Sequence, residues 1–69
     1  MQISNKLVSA RKQRSMSLGL ASRYSGIPKA SLWRYEKGIS RVPAEYIAKL
    51  AKLYGVEVTW LLEGDSNNA

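Results

Sequence analysis

Apolar positions recur at helical spacing in successive windows along this chain, and each window ends at a glycine or a polar stop. Ile3, Leu7, Ala10 and Arg14 share one face of a first helix, predicted from Ser4 to Arg14 with Ser4 as its N-cap and Ser15 ending it. Helix two follows Ser17, whose hydroxyl suits the first amides, and runs to about Tyr24. Gly26 then supplies the left-handed backbone that a sharp exit needs. Helix three opens near Pro28, where the missing N–H would be unpaired anyway, and reaches about Lys37 before Gly38 stops it. A loop leads to Pro43 and helix four, Ala44 to Tyr54, in which Ile47, Leu50, Ala51 and Tyr54 form the clearest amphipathic stripe. Gly55 stops it. A short helix five is predicted from Thr59 to Glu63, ended by Gly64. The pattern predicts an all-α chain: one domain over residues 1–64 and a polar tail over 65–69.

Helices two and three, joined by a tight turn at Gly26, have the form of a helix-turn-helix. On helix three, Ile27, Leu32 and Tyr35 fall on the core side. Lys29, Ala30, Ser31, Arg34 and Lys37 point elsewhere, to solvent or to DNA, the first four toward base edges in a major groove and Lys37 toward phosphate. Arginine can bond guanine through two donors, lysine can reach guanine or phosphate, and an alanine methyl can sit against the thymine methyl. The competing reading is an ordinary surface helix with solvated charges. Trp33 lies one step from the core side. It either packs on helix four or on the helix-three exit, or it meets the DNA backbone or a thymine methyl. Ser17 caps helix two and, with the unpaired amides there, can also help to hold a phosphate. Arg41 is a backbone contact or a free loop charge. Arg11 and Glu36 each lie among core neighbours, as a pair tying helix one to the end of helix three or as two unrelated surface charges.

Charge sharpens this picture. The net charge is +6, but residues 1–41 carry nine bases against one acid, a net of +8. Residues 42–69 carry two bases against four acids, a net of −2. A basic half and a mildly acidic half suggest one face for a polyanion. The 69 residues suffice for one domain with a small core. Neither cysteine nor histidine occurs, so no disulfide, zinc site, other metal or cofactor is expected. The five acidic residues show no paired arrangement for acid–base work, and an enzyme is not expected. No apolar run is long enough for a membrane span, and the N-terminus lacks the apolar stretch of a secretory signal. The expectation is a soluble, intracellular (cytoplasmic) protein without a small-molecule ligand.

These residues resemble the lambda-type repressor and Cro DNA-binding domain, the XRE-type helix-turn-helix. The resemblance rests on Arg11, Gly26, Glu36-x-Gly38, Pro43 and the ending Gly55-Val56-x-Val58-x-Trp60-Leu61-Leu62-x-Gly64. It implies a five-helix domain that binds a near-palindromic operator in double-stranded DNA as a homodimer, formed in solution or only on DNA. It implies base contacts from Lys29, Ala30 and Arg34, phosphate contacts from Ser17, Leu18 and Arg41, and an Arg11–Glu36 salt bridge. Dimerisation would use helix five and the segment before it, with Val58, Trp60 and Leu61 as candidates and Trp60 equally readable as core.

Three departures carry information. Relatives often place glutamine where this chain has Leu18, so only the Leu18 amide is left to hold a phosphate. The usual Leu-Ala pair appears as Leu20-Ala21, one residue early relative to Gly26. Either helix two is rotated or its turn has an extra residue; without a gap, Ala21 and Ser22 take the apolar places, Ser25 takes another, and Leu20 with Tyr24 is exposed. Ala44 stands where some relatives aim a basic residue at the minor groove, a contact expected to be absent here. The function expected is a sequence-specific transcription regulator of Cro type, acting through its own concentration because 69 residues hold no sensor domain. The alternatives are a restriction-modification controller, an antitoxin, the DNA-binding part of a longer repressor, a protein-binding adaptor or anti-repressor, and a nonspecific nucleic-acid packager.

Overall fold

A computed structural model describes residues 2–66 of the chain. Five helices follow in order: α1 (Gln2–Gln13), α2 (Leu18–Ser25), α3 (Lys29–Lys37), α4 (Ala44–Tyr54) and α5 (Val58–Ser66). There is no strand among the described residues. The fold is the five-helix, lambda-repressor-like arrangement, with α2 and α3 as its helix-turn-helix. α1 packs on α3 and α5, α2 packs on α3 and α4, and α4 packs on α5.

The core sits where these helices meet. Ile3, Leu7 and Ala10 enter it from α1, Ala21 from α2, Leu32 and Tyr35 from α3, Leu50, Ala51 and Tyr54 from α4, and Leu61 from α5. Ile27, in the turn before α3, is also buried. These positions follow the apolar stripes of the sequence, so burial of those stripes is the term that holds the helices together. Tyr46 adds a tilted ring contact to Tyr35, centroids 6.3 Å apart.

Two helix ends differ from the sequence reading by more than one residue. Ser4 is not an N-cap; α1 begins at Gln2, and Ser4 is buried within its first turn. Gly64 does not end α5, which continues through Gly64 and Asp65 to Ser66. One helical glycine costs only about 1 kcal/mol, too little to stop a helix already docked through Leu61. Of the predicted tail, residues 67–69 lie outside the described residues.

The register of α2 is resolved by its two ends. Ser17 caps it, its Oγ accepting from the Leu20 amide at 3.1 Å. Gly26 ends it at φ 78°, a left-handed backbone disfavoured for any residue with a Cβ, and its N–H donates to the Ser22 carbonyl at 2.8 Å. No residue is inserted. Ala21 is therefore the fully buried residue of α2, while Leu20 is 38% and Tyr24 65% exposed. Ser22 and Ser25, at places the resemblance makes apolar, lace the turn instead. Ser22 Oγ donates to the Ile27 carbonyl at 2.6 Å, and Ser25 Oγ accepts from the Ile27 amide at 3.1 Å.

Candidate nucleic-acid interface

The outer face of α3 is built by elimination. Leu32 and Tyr35 turn inward, which forces Lys29, Ala30, Trp33, Arg34 and Lys37 outward, where all five are exposed. Ser31 is half-buried and less available than its neighbours. α3 begins directly after Pro28, whose carbonyl accepts from Ser31 and Leu32 at 3.0 and 3.1 Å.

Beside this face lies the start of α2. Its first-turn amides, including those of Leu18 and Gly19, have no intrahelical acceptor, and the helix dipole leaves that end electropositive. Ser17 is exposed there. Between α2 and α3 runs a cleft of about 510 Å3 lined by Leu18, Lys29, Ala30, Trp33 and Arg34. Five of the residues singled out from the sequence thus meet in one place. Trp33 stands outside the core, 46% exposed, and the Lys37 ammonium at the end of α3 sits 5.8 Å from its ring centroid. Arg41 is exposed on the loop after α3 and does not line the cleft.

An ion pair ties the end of α3 to α1 and to the segment before α2. Arg11 Nε donates to Glu36 Oε2 at 2.7 Å, and Arg11 Nη2 donates to Oε1 at 3.0 Å. The two side chains are only 13% and 8% exposed, so this two-point ion pair is largely withdrawn from water. Arg11 Nη1 also donates to the Met16 carbonyl, just before α2, at 2.8 Å. One guanidinium therefore links α1, the start of α2 and the end of α3. The hydrogen bond to Glu36 raises the Arg11 pKa above its ordinary value and keeps it charged. Tyr54, buried nearby, has its phenol pushed up to about 12, first by burial and then by the Glu36 charge, with Arg11 opposing.

On α5 the candidates separate. Leu61 is fully buried in the domain core, so it is a core residue and offers no surface for a second subunit. Val58 is 38% exposed, and Leu62, which the sequence reading passed over, is 40% exposed. Trp60 is half-buried against the core. Lys6, also unanticipated, ties it down. Its Nζ donates to the Trp60 carbonyl at 2.9 Å and lies 4.5 Å from the Trp60 ring centroid. No helix among the described residues is long and apolar enough to cross a membrane.

Comparison with known proteins agrees with the helix-turn-helix arrangement. The helix-turn-helix family matches residues 7–61, which span α2, α3 and α4 with most of α1 and the start of α5. A protein of Sulfolobus acidocaldarius named "Putative HTH-type transcriptional regulatory protein" is similar to this chain, 40% identical over 55 residues. The match covers 80% of this chain but 18% of that protein. No solved structure matches. With the family match covering most of its length, and with a capped α2, a left-handed turn at Gly26 and an outward-facing α3, the chain belongs to the XRE-type helix-turn-helix family.

Proposed function

We propose that this chain is a sequence-specific regulator of transcription that binds double-stranded DNA through α3, as a Cro-like repressor does. The observation that carries the reading is the convergence of Lys29, Ala30, Trp33 and Arg34 with the start of α2 on one cleft. In this reading Lys29, Ala30 and Arg34 read base edges, with Ser31 at the margin of that surface. Ser17, the Leu18 amide, Lys37 and Arg41 hold phosphates. The protein acts in the cytoplasm, on a near-palindromic operator, as a homodimer whose recognition helices lie about one DNA turn apart, ~34 Å. Val58, Trp60 and Leu62 supply the subunit contact.

The test is selection of bound duplexes from a random pool at near-physiological salt. The expected product is a two-fold-symmetric site with half-sites one turn apart. Salt-sensitive binding with no sequence enriched would replace this reading with a nonspecific packager. The exposed pair Leu20 and Tyr24 favours a second reading, a protein-binding adaptor of the same fold. It expects no DNA to be selected, and it expects the Lys29→Ala and Arg34→Ala variants to keep their biological effect.

A further inference from the structure

We propose that the cleft between α2 and α3 receives the 5-methyl group of a thymine, and that Trp33 with Leu18 makes this chain specific for it. The inference rests on the DNA-reading function above and names what one part of that surface reads. Leu18, Ala30 and Trp33 give the cleft apolar walls, and Lys29 and Arg34 give it a cationic rim. The rim suits a polyanion. The walls decide which of its groups enters. In the major groove, guanine and adenine present hydrogen-bonding atoms and cytosine an amino donor beside a bare C5–H, and thymine alone projects an apolar methyl. A nitrogen or oxygen pressed against Leu18 and Trp33 would lose water and gain no partner, which is unfavourable. The thymine methyl loses nothing there and sheds its own apolar hydration. The cleft, about 510 Å3, has room for the methyl together with the base edge that carries it.

Two details give the site shape. Trp33 and Lys37 are one turn apart on α3, and the ammonium 5.8 Å from the ring restricts the exposed indole. Leu18 is half-buried in the first turn of α2, whose N-terminus Ser17 caps, so that wall is fixed. A polar residue in place of Leu18 would give the cleft a donor and remove its preference.

The experiment starts from the selected operator. Each thymine is replaced in turn by deoxyuridine, which keeps the base pair and removes only the methyl. For the unaltered protein, one position per half-site should weaken by about fourfold, the effect of one buried methyl. For Trp33→Ala, thymine and uracil duplexes should bind equally at that position. Trp33 is 46% exposed, so the variant keeps its core, which circular dichroism checks. Leu18→Gln, at a half-buried position, should reduce the same methyl effect independently. If no thymine-to-uracil change alters affinity, or if the methyl effect survives in Trp33→Ala, the assignment is overturned while DNA reading stands. If the unaltered protein selects no DNA sequence, the proposed function falls and takes this assignment with it.

Discussion

Arg11 grips both oxygens of Glu36, at 2.7 and 3.0 Å, and gives its remaining contact to the Met16 carbonyl at 2.8 Å. The pair contributes little as a simple salt bridge, because both charges had to leave water. Its larger role is geometric: it joins α1, the residue before the α2 cap and the end of α3 through one guanidinium.

Removing one partner leaves the other charged and poorly solvated. Arg11→Ala or Glu36→Ala should therefore cost about 3–5 kcal/mol, a large share of a small domain's stability. Urea denaturation measures it. The double variant Arg11→Met with Glu36→Leu should lose less than either single change. A double loss equal to the sum of the singles would show that the two residues do not act as a pair.

Tyr54 gives a pH dependence of definite sign. Its phenol ordinarily titrates near 10 and is pushed up to about 12 in the fold, so the native state holds this proton more tightly than the unfolded chain. That contribution is fully present below pH 10 and is lost as pH rises from 10 toward 12. Urea midpoints of the unaltered protein and of Tyr54→Phe, compared from pH 8 to 11.5, should diverge in slope only above pH 10. Parallel curves would remove Tyr54 from the alkaline transition.

Gly26 separates backbone strain from crowding. A Cβ built there meets nothing within 4 Å, so only its φ of 78° opposes a side chain. Gly26→Ala should cost about 1–2 kcal/mol. Gly26→Asn should cost less, because asparagine tolerates this conformation better. Thermal melts that rank the two in the opposite order would point to a different cause.

Arg34 and Arg41 should differ in kind. Arg34 lines the cleft, and Arg34→Ala should lose about 1–3 kcal/mol on the selected operator and relax preference at one base per half-site. Arg41 lies outside the cleft, and Arg41→Ala should weaken all sequences equally and lower the salt slope by about one. Binding titrations across a salt series, on operator and scrambled duplexes, distinguish the two behaviours.

What was legible in the chain follows from how local each signal is. The limits of α4 and the stops at Gly26, Gly38 and Gly55 are written in a few adjacent residues, and the structure has them in place. The ends of α1 and α5 were misjudged because Ser4 and Gly64 carry strong local signals that tertiary packing outweighs. The two registers open for α2 were equal in sequence. Deciding between them needed the positions of the Ser17 cap and the Gly26 exit in one helix. The Lys6–Trp60 bond joins positions 54 residues apart, and no periodicity encodes it. The cleft was hidden for a similar reason. Its residues were each singled out, but their meeting depends on the pose of α2 against α3.

The packing of α1 on α5 also has a consequence for how the chain comes into being. Leu7, in α1, shares its core with Leu61, in α5, and Lys6 donates to the Trp60 carbonyl. The two ends of the domain close on each other, so the nascent chain cannot complete its core while α5 is still inside the ribosome. Folding of this domain waits for α5 to emerge, and a message cut short before Leu61 would yield a chain with Leu7 exposed, a substrate for proteases rather than a domain.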